Sequence, residues 1–146
     1  MLRNYRGFTL LEMMVVLAII GTLALVVGPT VLNHVGDANH TAARSQIEIF
    51  AVALDAYRLD TGQYPTTEEG LAALRARPLN DDQPGWRGPY LRKTVPLDPW
   101  HRAYEYRSPG LQNPESYDLY SLGRDGRPGG EGENADVTSW GEAVKP

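Results

Sequence analysis

The chain has 146 residues, a formal net charge of −4 at pH 7 and no cysteine. This length suits one domain with a core of modest size plus an appendage, and the acidic balance argues against a nucleic-acid partner, which needs a clustered basic face. Without cysteine there can be no disulfide, thiolate metal site or thiol nucleophile. A small domain of this kind needs another means of closing its loops, and a bound metal ion is the usual one.

An apolar run begins close to the N-terminus. The stretch Met13–Leu32 carries no charge, and ~20 apolar residues are enough for a helix to span a bilayer. Arg3 and Arg6 precede the run without an intervening acid, which favours a cytoplasmic N-terminus and a translocated C-terminal body. Pro29 is tolerated in a membrane helix and predicts a kink there.

An ordinary secretory signal peptide is the alternative interpretation of this segment. Its apolar region would be ~7–15 residues long and would end at a small-residue cleavage site. The run in this chain is longer, and no good A-x-A site closes it. A retained membrane helix therefore fits the sequence better than a removed signal.

Glu12 interrupts the start of the apolar stretch GFTLLEMMVV. A carboxylate deep in lipid costs about 2.5–3.5 kcal/mol, so it requires a partner or a special position. If the chain were cut after Gly7, Phe8 would carry a new α-amino group that could pair with Glu12 in the same chain or in a neighbour. The alternative is a glutamate that is merely tolerated near the membrane interface.

The stretch GFTLLEMMVVLAIIG resembles the class III signal of type IV pilins and pseudopilins. In this resemblance Gly7 precedes the cut, Phe8 becomes the new N-terminus and Glu12 is the family's glutamate. It implies cleavage by a prepilin peptidase, N-methylation of Phe8, and an apolar helix that anchors the chain in the inner membrane before assembly. It also implies that Glu12 is needed for subunits to enter a filament, and it places Pro29 at the family's helix-distorting proline.

Beyond the apolar run, the pattern predicts that the helix continues to Asp60 and ends at Gly62. One face carries apolar residues at spacings of three and four: Ile47, Phe50, Ala51, Leu54 and Tyr57. This stripe predicts packing on the C-terminal body. From Phe8 onward such a helix would be roughly 80 Å long, so we expect its inner half to pack on lipid or on sister helices in a filament core.

After this helix the sequence predicts a short helix and two antiparallel strands. Thr66 and Glu69 form a capping box, and the helix that it opens must end before Pro78. Alternating residues predict strands over Ala103–Ser108 and Tyr117–Leu122, joined by a turn-rich loop. The predicted fold class is therefore α+β, with a long helix, first membrane-spanning and then amphipathic, packed on a small C-terminal domain.

A glycine-rich acidic stretch, GRDGRPGGEGENAD, follows the second predicted strand. Its acidic residues are Asp125, Glu131, Glu133 and Asp136. Calcium takes ~6–8 hard oxygen ligands, including main-chain carbonyls, and suits a backbone that turns sharply. The spacing is not that of an EF-hand. A merely solvated surface loop is the alternative.

Two C-terminal stretches, LDPWHRAYEYRSPG and YDLYSLGRDGRPGGEGENADVTSW, resemble the major pseudopilins of type II secretion, and the resemblance extends over residues 6–140. It implies a calcium ion in the loop. The implied side-chain ligands are Asp125 and Asp136, and the implied main-chain ligands are the carbonyls of Leu122, Arg127 and Gly130.

The chain departs from the family pattern at two places. Some members have an aspartate where this chain has Gly132, so a ligand is expected to shift to Glu133 or to a main-chain oxygen. The segment WHRAY at 100–104 stands where the family often has Trp-Gly-Asn-Pro-Tyr. This second departure leaves the conformation of the turn open.

The resemblance implies three segments: a cleaved leader over residues 1–7, a transmembrane and filament-core helix over residues 8–36, and a periplasmic globular domain over residues 37–146. It implies a structural subunit of a homopolymeric pseudopilus that drives export of folded proteins across the outer membrane. The implied partners are further copies of the chain, minor pseudopilins, an inner-membrane secretion platform, the prepilin peptidase and the membrane.

Two other functions stay open on the residues alone. A type IV pilin for adhesion, motility or DNA uptake would share the leader, but such pilins commonly close their C-terminal region with a disulfide. A membrane-tethered enzyme or ligand-binding module would need a deep polar pocket. His34, His40 and His101 stand at neither ligand nor triad spacing to a suitable partner, so we expect no catalytic site.

Overall fold

The computed structural model describes residues 8–78 and 85–141, except for the side chains of residues 26–35. The predicted leader, with Arg3, Arg6 and Gly7, lies outside the described residues. The elements in chain order are helix α1 (Leu10–Thr61), a 3-10 helix (Gly70–Leu74), strand β1 (Glu105–Arg107), strand β2 (Asp118–Ser121), a second 3-10 helix (Gly132–Asn134) and strand β3 (Val137–Thr138). The chain divides into two compact units, residues 1–35 and 36–146.

Helix α1 is continuous from Leu10 to Thr61. Gly62 follows it at a φ of 87°, and its N–H donates to the carbonyl of Arg58 over 2.7 Å. This left-handed cap satisfies a carbonyl that the helix leaves without a partner, and glycine adopts it without a steric penalty. The predicted helix stop at Gly62 is confirmed.

In the first unit, the described side chains of α1 are exposed and mostly apolar. Exposure reaches 79 % at Phe8, Leu10 and Leu25. Apolar surface of this extent marks a site of contact with a membrane or with other protein. Over the side chains that the structure describes, no helical segment is long and apolar enough to cross a bilayer. The side chain of Pro29 lies outside that set, so the kink predicted there stays a prediction.

The core of the second unit forms on one face of α1. Four members of the predicted stripe are at most 2 % exposed: Ile47, Phe50, Leu54 and Tyr57. Ala51 is half-buried at the edge of this face. Phe50 meets Tyr104 edge to face, with ring centroids 5.2 Å apart, and Tyr57 meets Tyr90 in the same way at 5.5 Å. The helical spacing therefore predicted correctly which face of α1 is buried.

The predicted capping box at Thr66 and Glu69 is present. The N–H of Thr66 donates to Glu69 Oε2 over 2.8 Å, and the N–H of Glu69 donates to Thr66 Oγ1 over 3.3 Å. Gly70 follows at a φ of 58°, outside the right-handed helical region. The short helix that follows the box is a 3-10 helix that buries Leu71 and Leu74. It ends before Pro78, as the sequence predicts.

The two predicted strands pair antiparallel, with Tyr106 of β1 opposite Leu119 of β2. Both are shorter than predicted. A third strand, β3, pairs with the other edge of β2, with Val137 opposite Ser121, and gives the order β1-β2-β3. Sequence reasoning does not detect β3, because two residues are too few to show alternation.

A buried carboxylate organises the loop between β1 and β2. Asp118 is 3 % exposed. Its Oδ2 accepts the N–H groups of Leu111 at 2.6 Å and Gln112 at 2.9 Å, and its Oδ1 accepts the N–H of Asn113 at 3.0 Å. One side chain thus satisfies three consecutive peptide N–H groups that lie outside the sheet.

We expect Asp118→Ala to lower the free energy of unfolding by about 2–4 kcal/mol, because it leaves several main-chain donors without their acceptor. Urea denaturation of the detergent-solubilised chain, followed by tryptophan fluorescence, measures this change. Glu115→Ala, an exposed acid of the same loop, is the matched control and should change stability by less than ~0.5 kcal/mol. Equal, small effects of the two substitutions would show that Asp118 does not organise the loop.

Candidate functional site

Glu12 lies in the first turn of α1, where it forms a capping box. The N–H of Thr9 donates to Glu12 Oε2 over 3.4 Å, and the N–H of Glu12 donates to Thr9 Oγ1 over 3.2 Å. These bonds satisfy N–H groups at the start of the helix, where a negative side chain is also favoured by the helix dipole. The T-x-x-E spacing over residues 9–12 is the sequence signal for this box, which the cleavage motif overlaps.

Phe8 precedes the helix, and 79 % of its surface is exposed. Gly7 lies outside the described residues. The predicted cleavage between them, the methylation of Phe8 and the pairing of its amine with Glu12 stay predictions.

The acidic loop, defined here as residues 122–136, connects β2 to β3. Its ends are held side by side, because Ser121 and Val137 are paired in the sheet. Within the loop, the N–H of Arg124 donates to the carbonyl of Glu133 over 3.0 Å, and the N–H of Gly126 donates to the carbonyl of Leu122 over 3.2 Å. Main-chain hydrogen bonds within the loop therefore contribute to its closed conformation.

The two predicted carboxylate ligands of this loop each bind a main-chain N–H group within it. Asp125 is exposed, and its Oδ1 accepts the N–H of Arg127 over 3.1 Å. Asp136 is half-buried, and its Oδ2 accepts the N–H of Gly129 over 2.7 Å. Both bonds draw the glycine-rich backbone toward a carboxylate.

Glu133 forms an ion pair with Arg124, whose guanidinium contacts Glu133 Oε2. In the described part of the chain, no three His, Asp or Glu side chains cluster so that they could hold a metal ion. Glu133 therefore does not stand with Asp125 and Asp136 as a third carboxylate in this structure, and its role as a ligand stays a prediction.

The remaining predicted donors fit a hard cation by their chemistry. Two carboxylates and the main-chain carbonyls of Leu122, Arg127 and Gly130 are all oxygen donors of the kind that calcium takes. They lie in one loop whose backbone turns through several residues of positive φ, including Gly130 at 87°.

The segment WHRAY at 100–104, whose turn the sequence left open, begins in a turn over residues 98–102 that the buried Asp98 organises. Asp98 is 3 % exposed, and its Oδ1 accepts the N–H groups of Trp100 at 3.0 Å and Arg102 at 2.8 Å. Its Oδ2 accepts the hydroxyl of Ser121 at 2.6 Å, which ties the turn to the end of β2. Burial raises the pKa of Tyr104 to about 12, and the charge of Asp98 adds to this shift.

His101 stands in this turn at a φ of 66°, in the left-handed region that glycine adopts without a steric penalty. The left-handed region costs a non-glycine residue ~1–2 kcal/mol. The conformation is held by hydrogen bonds around it, including one from the N–H of His101 to the carbonyl of Asp98 at 2.9 Å. The turn therefore forms with a histidine at this position.

Arg102 extends from this turn to the acidic loop. Its Nη1 donates to the carbonyl of Gly123 over 2.7 Å, and its Nη2 donates to the carbonyl of Arg124 over 2.7 Å. Sequence reasoning does not detect this contact, because no local pattern relates a turn to a loop about twenty residues away.

Helix α1 also borders the acidic loop in the second unit. A cavity of about 460 Å³ lies between them and is lined by Asp37, His40, Arg44 and Asp136 among others. The His40 ring meets the Trp100 ring edge to face at 5.0 Å between centroids. His40 is thus engaged in packing at the edge of this cavity.

Comparison with known families assigns the chain. Residues 30–140 match the family of type II secretion system (T2SS) protein G, and residues 2–28 match the prokaryotic N-terminal methylation motif. The chain is 44 % identical over 139 residues to the type II secretion system core protein G of Pseudomonas aeruginosa. These residues are 94 % of this chain and 96 % of that protein. The protein of the same name from Vibrio cholerae is 43 % identical over 140 residues, which are 95 % of this chain and 94 % of that protein.

The fold agrees with this assignment. The crystal structure of the major pseudopilin from the type 2 secretion system of enterohaemorrhagic Escherichia coli matches with a TM-score of 0.62 at 34 % identity, over 75 % of this chain and 92 % of that one. The arrangement of a long helix with a small antiparallel sheet is thus the pseudopilin fold. The chain belongs to the type II secretion system protein G family and is a subunit of a pseudopilus.

Proposed function

We propose that this pseudopilin polymerises into a homopolymeric filament whose growth drives the export of folded proteins across the outer membrane. The observation that carries this proposal is the row of exposed apolar side chains formed by Phe8 and the residues of α1 from Leu10 to Leu25. Such a surface requires an apolar environment outside the chain. Lipid would supply that environment before assembly, and the α1 helices of neighbouring subunits would supply it in the filament. Minor pseudopilins and an inner-membrane secretion platform are the further partners that this role requires.

The topology that fits this role is a single pass through the inner membrane. Arg3 and Arg6 would hold the N-terminus in the cytoplasm, and the domain over residues 37–146 would lie in the periplasm. A prepilin peptidase could then reach the bond between Gly7 and Phe8 from the cytoplasmic side. The match to the N-terminal methylation motif over residues 2–28 supports this processing.

We expect the mature chain to begin at Phe8 and to carry one methyl group on its α-amine. Intact-mass analysis of protein extracted from the membrane measures both changes together. Cells without the prepilin peptidase provide the control, since they should retain the full-length mass. A mature chain that begins near Thr30 would instead indicate a conventional signal peptide and would contradict the proposed anchor.

After cleavage, Glu12 would have two roles at the start of α1. Its carboxylate caps the helix with Thr9, and it would also balance the charge of the Phe8 amine in its own chain or in a neighbouring subunit. An uncompensated charge is costly in lipid. The amine of an incoming subunit would therefore favour a position beside a carboxylate.

We expect Glu12→Ala to leave processing and membrane insertion intact but to block filament growth, because the Phe8 amine loses its partner. Mass spectrometry of the membrane fraction, electron microscopy of filaments and an export assay measure these steps separately. Thr9→Val is the matched control, since it removes the hydroxyl of the capping box but keeps the carboxylate, and it should still assemble. Filaments built from Glu12→Ala subunits would disprove the pairing, and an equal block by Thr9→Val would assign the effect to the helix cap.

We further propose that the acidic loop binds calcium. The carboxylates of Asp125 and Asp136 and the carbonyls of Leu122, Arg127 and Gly130 would hold the ion. Bound calcium would lower the repulsion between the carboxylates and offset the entropy lost on ordering a glycine-rich backbone. The calcium site is supported by the number of carboxylate and main-chain carbonyl oxygens that lie in this one loop.

Glu133 could complete this ligand set only by leaving its ion pair with Arg124. An exchange of this kind would move a carboxylate from a guanidinium to a divalent cation. A further main-chain oxygen of the loop is the other source of a ligand at this position.

We expect calcium to raise the melting temperature of the detergent-solubilised chain, with apparent stability rising as RT ln(1 + [L]/Kd). Calcium modules of the extracellular type bind at ~10⁻⁴–10⁻³ M, so a chelator should lower the melting temperature. Asp125→Ala should melt like the chelated protein and lose its response to calcium. Glu131→Ala, an exposed acid of the same loop, is the control and should keep the response. Identical melts of wild type and Asp125→Ala with and without calcium would disprove the site.

A further inference from the structure

The guanidinium of Arg102 binds the acidic loop at two successive carbonyls. Its Nη1 and Nη2 donate to the carbonyl oxygens of Gly123 and Arg124, each over 2.7 Å. This distance is typical of a charge-assisted hydrogen bond, and a planar guanidinium presents its donors in a fixed fork. Two carbonyls that would otherwise repel each other are thus drawn to one positive charge.

The base of this side chain is held firmly in place. The N–H of Arg102 donates to the buried carboxylate of Asp98 over 2.8 Å, and its carbonyl accepts the N–H of Asp98 over 2.7 Å. Because the same carboxylate binds Ser121 at the end of β2, the turn that carries Arg102 is fixed to the strand from which the loop leaves.

The head of the side chain fits closely against the loop backbone. A Cβ atom on Gly126 would lie 2.7 Å from Cζ of Arg102, which is closer than such atoms approach in proteins. The absence of a side chain at Gly126 therefore leaves room for the guanidinium of Arg102. Gly129 also has a positive φ, 94° against 68° at Gly126, but a Cβ atom there would meet nothing within 4 Å.

The charge of Arg102 also suits the loop. Its carboxylates are those of Asp125, Glu131, Glu133 and Asp136, and its own cations are Arg124 and Arg127. The negative charges outnumber the positive ones, and Arg124 is already paired with Glu133. A further cation at the loop reduces the repulsion that would open it when no metal is bound.

We propose that Arg102 is a resident cation of the acidic loop, which it holds in its closed conformation without a metal ion by binding the carbonyls of Gly123 and Arg124. In consequence, calcium orders this loop to a smaller extent than it would if Arg102 were absent. That Arg102 holds the loop follows from its contacts. Only the reduced dependence on calcium rests on the calcium site proposed above.

Hydrogen exchange of the full chain in detergent, with a chelator present and followed by mass spectrometry, tests whether Arg102 holds the loop. Arg102→Ala should speed exchange across residues 123–136 about tenfold, the change that a loss of ~1.4 kcal/mol in local stability produces. The amides of residues 111–113, which bind Asp118, should exchange as in wild type. Arg92→Ala, which removes an exposed arginine outside the loop, is the matched control and should change neither region.

Two results of this experiment would overturn the proposal that Arg102 holds the acidic loop closed. One is loop exchange in Arg102→Ala that equals that of wild type. The other is full protection in Arg102→Lys, because a lysine keeps the charge but lacks the fork that binds both carbonyls. We expect Arg102→Lys to exchange faster than wild type across the loop.

A second pair of variants keeps the test valid if Arg102→Ala loosens the whole unit. Gly126→Ala and Gly129→Ala both place a side chain at positive φ, but only the first displaces the guanidinium. We expect exchange across the loop to be faster in Gly126→Ala than in Gly129→Ala. Equal exchange in the two variants would contradict the contact between Gly126 and Arg102.

The same measurement with calcium tests the reduced dependence on calcium. Added calcium should slow loop exchange by a larger factor in Arg102→Ala than in wild type. An equal factor in both proteins would overturn the reduced dependence on calcium. No effect of calcium on either protein would disprove the calcium site, while the comparison in chelator would still decide whether Arg102 holds the loop.

Discussion

Buried main-chain N–H groups must find acceptors, and this requirement shapes the second unit more than any other. Among the described residues after Thr61, three short strands and two 3-10 helices are the regular elements, so most of the described backbone there has no ladder partner. Two buried aspartates supply acceptors instead. Asp118 binds the loop that follows β1, and Asp98 binds the turn at 98–102. In a chain without cysteine, these carboxylates hold irregular segments that a disulfide holds in other small domains.

The same requirement connects the fold to the acidic loop. Asp98 fixes the turn, the turn positions Arg102, and Arg102 binds two carbonyls of the loop. Each step satisfies main-chain groups with a charged side chain, and such hydrogen bonds are stronger than those between neutral groups. The position of the loop therefore depends on the buried carboxylate of Asp98, which lies outside the loop.

Local patterns predicted the features that local chemistry determines. The stripe on α1 follows from helical spacing, the end of α1 from Gly62, and the pairing of the two strands from their alternation. Sequence reasoning could not place Arg102 on the acidic loop or identify β3, because neither leaves a periodic signal. It found Glu12 through the cost of a charge in lipid. The acidic, glycine-rich composition indicated the loop as a candidate calcium site, but the individual ligands were chosen by resemblance.

The two units satisfy their side chains in different ways. The second unit buries apolar residues in a core of its own, in which Phe50, Leu54 and Tyr57 are fully covered. The described apolar side chains of the first unit are exposed. The second unit therefore has a core of its own, whereas the exposed apolar surface of the first unit is of the kind that contacts a membrane or other protein. Glu12 lies in the first unit and outside the buried core of the second, so we expect a change at Glu12 to leave the free energy of unfolding of the second unit the same.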